Sequence, residues 1–185
     1  MKPGTNPAQW LAIGLLTTLL VAGAAAAEVL MTKEEALATA FPDAERVDKQ
    51  ILYFSDAEQQ RVAELARVPM DSGLFTVYKA FKGGELAAYG FIDTRTVRSK
   101  PATFLVVLAP DGKVRSSRIL AWKEPPEYVP PERWLAQFEG HGLEEHTRLG
   151  GEITAMSGAS YTSTTLTDGI RRILAVHRVK LAGDS

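Results

Sequence analysis

The chain has 185 residues, 45% apolar and 23% charged, enough to bury the core of one globular domain. A net charge of −1 with no basic tract argues against a nucleic-acid partner. The absence of cysteine excludes a disulfide framework, thiol catalysis, cysteine-ligated iron–sulfur clusters and haem attachment through Cys-x-x-Cys-His.

Lys2 is followed by an uncharged run from Pro3 to Ala27, whose apolar part begins near Trp10. It ends in Val21-Ala22-Gly23-Ala24-Ala25-Ala26-Ala27, and small residues of this kind suit signal peptidase. Residues 1–27 are therefore expected to be a signal peptide, with the mature chain starting near Glu28. The alternative is an uncleaved anchor, since about 18 apolar residues lie near the lower limit for spanning a bilayer. Either way residues 28–185 are expected in the periplasm or another extracytoplasmic space, membrane-associated if the anchor is kept.

Thr32-Lys33-Glu34-Glu35 has the capping-box pattern, predicting a helix through Ala40 that Pro42 closes. Val47 to Phe54 reads as a strand. Ser55-Asp56-Ala57-Glu58 repeats the capping pattern before a helix over Gln59 to Val68, with Pro69 behind it. Leu74 to Phe81, Leu86 to Asp93, Thr103 to Leu108 and Val114 to Trp122 read as four strands. Lys82-Gly83-Gly84-Glu85 and Ala109-Pro110-Asp111-Gly112-Lys113 join two pairs of them as hairpins. The proline-rich stretch Glu124 to Pro131 suits neither helix nor central strand. Pro131 then opens a helix through Phe138.

A last helix is expected from about Ser163 to Lys180. Leu166, Ile170, Ile173, Leu174 and His177 share its apolar face, while Arg171, Arg172 and Arg178 face away. His177 reads as a buried, hydrogen-bonded side chain on that face. Together these elements give an α+β fold, an antiparallel meander with helices packed on it.

Chemistry-bearing patterns are few. His141, His146 and His177 form no metal-binding spacing, and no nucleophile–base pair stands out as catalytic. Glu144, Glu145 and His146 read as a solvated turn. The run Ser157-Gly158-Ala159-Ser160-Tyr161-Thr162-Ser163 is different, with four serine and threonine hydroxyls beside one tyrosine at the entrance to the last helix. Such residues cap helix N–H groups. The same backbone groups and dipole also attract phosphate.

From Leu86 to His177 the chain resembles the FMN-binding domain of small exported flavoproteins. That domain also occurs in the covalent-flavin subunits of sodium-pumping NADH:quinone reductase and the Rnf complex. Thr154 to Ser163 lies without a gap over the family's motif Asp-x-x-Ser/Thr-Gly-Ala-Thr-x-Ser/Thr-Ser. Trp122-Lys123-Glu124-Pro125 and Arg133-Trp134-Leu135-Ala136-Gln137-Phe138-Glu139-Gly140 resemble its Glu-Pro and Arg-Phe-Leu-x-Gln-Phe-x-Gly segments. Thr154 stands where the motif has its acid, and Ser160 where it has its flavin-bearing Thr. Serine keeps the hydroxyl that a phosphoester needs, and Glu152 lies two residues before Thr154.

The resemblance implies FMN held by Ser157, Gly158, Ala159, Ser160, Tyr161, Thr162 and Ser163, with Ser160 as the attachment point. It implies a flavin transferase for maturation and an electron-carrier role toward a redox partner protein or a membrane electron-transfer complex. Tyr128 or Tyr161 could stack on the flavin ring, whereas Trp134 and Phe138, four apart, read as core. Gln137 reads either as an exposed helical residue or as a partner for the flavin edge. A nicotinamide-using reductase would need a Gly-x-Gly-x-x-Gly pattern, which the chain lacks. A flavin-free exported binding or assembly module of the same fold is the alternative.

Overall fold

The computed structural model describes residues 28–144 and 146–183. Both capping patterns form as expected. The Thr32 hydroxyl accepts the Glu35 N–H at 3.2 Å, and the Glu35 carboxylate accepts the Thr32 N–H at 2.9 Å. This starts α1 (Lys33–Ala40). Ser55 and Glu58 repeat the exchange at the head of α2 (Asp56–Ala66), each reciprocal pair satisfying two N–H groups that a helix start leaves unbonded.

The strands are β1 (Glu28–Val29), β2 (Arg46–Tyr53), β3 (Leu74–Lys82), β4 (Glu85–Thr96), β5 (Pro101–Leu108) and β6 (Val114–Trp122). They form one antiparallel sheet in the order β1-β6-β5-β4-β3-β2, so the expected meander is present and β2 extends it at one edge. On one face, Tyr89, Phe91 and Phe104 pack under Leu166, Ile170 and Ile173 of α4 (Ser160–Lys180). Burying each such side chain contributes about 1.5–3 kcal/mol. On the other face, Ala36 and Phe41 from α1 and its end cover Tyr78, Ala80 and Leu105. Helix and sheet approach closely at Gly169, where a Cβ would lie 2.6 Å from Cζ of Phe104. The fold is α+β.

Three helix expectations need correcting. α4 starts at Ser160, a turn earlier than expected, because Ser163 serves inside its first turn. The helix after Pro131 is shorter: α3 (Glu132–Leu135) passes into a 3-10 turn over Ala136–Phe138. Arg171 and Arg172, expected to face away, are buried, and only Arg178 is exposed. The reason is α2, which packs on a second flank of α4. The Arg171 guanidinium donates to Ala66 O at 2.9 Å and Leu65 O at 3.3 Å, at the end of α2. It also donates to Thr147 O at 2.8 Å and Glu144 O at 3.0 Å. Arg172 donates to Pro69 O at 3.1 Å and lies 3.9 Å from the Asp93 carboxylate, which also pairs with Arg95. His177 is buried as expected, edge-on to Tyr89 at 5.0 Å between ring centroids.

The expectation of a membrane-associated chain is also corrected. No helix among the described residues is long and apolar enough to cross a membrane. Even α4, at 21 residues, carries Asp168, Arg171, Arg172, Arg178 and Lys180. The apolar run read as signal peptide or anchor lies outside the described residues.

Arg171→Ala would strip four carbonyls of a charged donor. It should lower stability in urea unfolding by about 2–4 kcal/mol. Arg178→Ala, at an exposed position, should stay within about 0.5 kcal/mol of the parent. A second outcome concerns pH. The Lys180 ammonium, then the Ser55 N–H and hydroxyl, hold the Glu58 carboxyl at about 2 instead of its ordinary 4.5. Because the folded value is the lower one, this stabilisation is complete above 4.5 and fades as pH falls toward 2. Lys180→Met should therefore move the acid-unfolding midpoint, followed by circular dichroism, to higher pH.

Candidate functional site at the start of the last helix

Gly158 has φ of +76°, a left-handed conformation that glycine adopts without strain, and this turns the chain into α4. The four serine and threonine hydroxyls of the run then take two different fates. Ser163 is buried; its hydroxyl accepts the Met156 N–H at 2.9 Å and donates to Ala159 O at 3.1 Å, closing the turn from inside. Thr162 is buried too, and its hydroxyl donates to Tyr128 O at 3.1 Å. Ser157 and Ser160 are exposed. No side chain caps α4, so the expected serine or threonine cap is not made.

Ser160 lines a cleft of about 270 Å³ with Arg98, Glu124, Tyr128, Tyr161 and Thr162. Its walls come from separate parts of the chain, each pinned. One Glu124 oxygen accepts the N–H groups of Ser99 at 2.6 Å, Lys100 at 2.7 Å and Arg98 at 3.1 Å. The Ser99 N–H foremost, then those of Lys100 and Arg98, holds the Glu124 carboxyl below its ordinary range. This fixes the loop that places the Arg98 guanidinium over the Tyr161 ring, 5.9 Å from its centroid. The Trp122 indole N–H donates to Pro125 O at 3.1 Å and ties down the proline-rich wall that carries Tyr128.

A second cleft, on the other side of Ser157 and Ala159, is lined by Arg133, Trp134, Gln137 and Met156. Trp134 packs edge-on against Phe138 at 5.5 Å, as core. Its indole N–H also donates to Thr154 O at 2.7 Å, while the Gln137 side-chain oxygen accepts the Thr154 N–H at 2.9 Å. Gln137 is half-buried and its amide is engaged, its nitrogen donating to Trp134 O at 3.3 Å, so that it grips the backbone before the Ser-Gly-Ala turn. The Thr154 side chain is exposed. Glu152 turns instead to His141, 3.1 Å from Nδ1. Glu144 is close enough to complete a group whose ligand atoms all lie within 4.8 Å of one another. That grouping spans separate turns and has no sequence spacing by which to find it. Glu144 and His146 are exposed, as expected of a solvated turn, while Glu145 lies outside the described residues.

The expected site residues are therefore contiguous in space, but only some face outward. Ser157, Gly158, Ser160 and Tyr161 are exposed around the clefts, whereas Ala159, Thr162 and Ser163 are buried. Arg98 was missed, because nothing in its own segment marks it; Glu124, 26 positions later, brings it there.

No protein-family model matches the chain, and no curated protein matches it significantly. These comparisons give the flavoprotein reading no support.

Glu124→Ala would remove the shared acceptor of three backbone donors. The Ser99 and Lys100 amides should then exchange with deuterium about tenfold faster or more, measured by NMR on the intact protein.

Proposed function

We propose that the chain is an FMN-binding electron carrier, with the flavin phosphate esterified to Ser160. The observation that carries this reading is the contrast among the hydroxyls. Ser160 stands exposed at an uncapped helix start, in a cleft with Arg98, Tyr128 and Tyr161, while Thr162 and Ser163 are occupied and buried.

The residues present fit such a group. The first turn of α4 offers N–H groups that the helix itself does not bond, and the positive end of its dipole favours the single negative charge that the phosphodiester keeps. Tyr128 and Tyr161 offer ring faces, and Arg98 a positive charge. FMN, when bound, supplies the electron chemistry. The protein anchors the phosphate, orients the ring and keeps Thr162 and Ser163 from competing as acceptors. Its electrons pass to a partner protein; among the described residues no catalytic pair stands beside the cleft.

A flavin-free binding module is favoured by one observation. Thr154 leaves the exposed position before the turn uncharged, where the motif that the chain resembles carries an acid.

Co-expression with a flavin transferase, followed by intact-mass and peptide mass spectrometry, separates the two. The carrier reading expects an FMN mass on the peptide containing Ser160, lost in Ser160→Ala and retained in Thr162→Ala. A colourless parent protein would leave the binding module. Fast, saturable NADH oxidation by the isolated flavoprotein would replace the carrier with a reductase.

A further inference from the structure

His141, Glu144 and Glu152 come together from two separate turns. His141 and Glu144 follow the 3-10 turn over Ala136–Phe138, and Glu152 folds back on the turn that starts at His146. The backbone is held at each of them. The His141 N–H donates to Phe138 O at 3.1 Å, and His141 O accepts the Val114 N–H of β6 at 2.9 Å. Glu144 O accepts from the buried Arg171 guanidinium at 3.0 Å, and the Glu152 N–H donates to His146 O at 2.9 Å. The side chains are therefore presented from fixed positions, His141 half-buried and both carboxylates at the surface.

Their donor atoms are spaced for a small ion. Nδ1 of His141 lies 3.1 Å from a Glu152 oxygen, and one Glu144 oxygen completes the set within 4.8 Å. An ion held tetrahedrally at about 2.0–2.2 Å from each donor sets them roughly 3.3–3.6 Å apart. The first pair is close to that spacing already. The exposed Glu144 side chain closes the remainder by rotating.

The charges favour a divalent cation. Two carboxylates this close repel one another unless positive charge lies between them. A protonated His141 would offset one of the two charges, whereas a divalent ion offsets both. Lys113 and Arg178 border a cleft beside Glu144, but Lys113 reaches toward Asp111 at 4.0 Å. Among the described residues no cationic side chain comes within ion-pair distance of the Glu144 carboxylate. The donor types narrow the choice of ion. Magnesium and calcium take oxygen ligands, while an imidazole nitrogen with carboxylates suits zinc and its first-row neighbours.

We propose that His141 Nδ1 and the carboxylates of Glu144 and Glu152 bind one zinc-type divalent cation, with a fourth position open to water, stapling the two turns together.

The test is calorimetric titration of untagged, EDTA-dialysed protein with Zn²⁺. One ion should bind per chain, and excess Mg²⁺ should not displace it. His141→Ala and Glu144→Gln should each weaken binding tenfold or more, since changing even an outer partner of a metal ligand costs about 10–100-fold. Glu144→Gln alters a carboxylate at the surface, so it tests the site without threatening the fold. His146→Ala removes an exposed histidine outside the set and should bind as the parent does. In NMR, Zn²⁺ should shift the ring nitrogens of His141 and leave those of His146 in place. A parent that binds no Zn²⁺ up to millimolar concentration would overturn the proposal. So would Glu144→Gln binding as tightly as the parent, or His146→Ala weakening binding as much as His141→Ala. None of these readouts depends on whether flavin is bound.

Discussion

Arg171 lies buried in α4, and its donors reach carbonyls that no helix or strand bond uses. A helix leaves its last carbonyls without partners and its C-terminal end partly negative. The guanidinium answers both at the end of α2. The same group holds the turn around Thr147, far along the chain. Its neighbour Arg172 reaches Pro69 O and the Asp93 carboxylate of β4. Two adjacent arginines thus join α2, the sheet and the backbone at Glu144 and Thr147 to one helix. That helix cannot rotate or slide without leaving several buried polar groups unpaired. The position of its first turn, where the cleft lies, follows from this lock at its middle.

This lock was the part least legible in the sequence. Hydrophobic periodicity located the face of α4 that meets the sheet, but a helix packed on two flanks also buries residues outside that stripe. Arginine is ordinarily solvated, so Arg171 and Arg172 read as outward-facing. Their burial depends on where α2 ends, at Arg67 in a left-handed conformation, and no pattern within α4 encodes that. Local signals fared better. Both capping boxes formed, because Thr32 with Glu35 and Ser55 with Glu58 need only their own turns. The meander was legible because its hairpin turns lie close in sequence and its strands alternate around them. The two-residue β1 was too short to announce itself.

At the cleft, the run of hydroxyls marked a stretch that the fold leaves partly open, and concealed its division of labour. Ser157, Ser160, Thr162 and Ser163 look alike in sequence. Their difference arises from tertiary partners: Tyr128 O takes the Thr162 hydroxyl, and the turn from Met156 to Ala159 takes that of Ser163. Gln137 and Trp134 were recognisable as residues with some role. That this role is to hold the backbone of Thr154 became visible only once α3 and the turn lay side by side.

Glu124 has one further effect on the cleft. Three converging backbone donors are the arrangement with which proteins commonly trap an external anion. Here the anion is built in, so the loop at Arg98 to Lys100 is already saturated and would compete poorly for phosphate. Of the two donor clusters bordering the cleft, one is internally neutralised and the other, at the head of α4, is open. A carboxylate already surrounded by amide hydrogens also has less to offer a neighbouring guanidinium. Arg98 instead lies over the Tyr161 ring, leaving the rim with an electrostatic polarity: positive charge outward, negative charge absorbed within the backbone. An incoming anion would meet the cation first and find a single vacancy behind it.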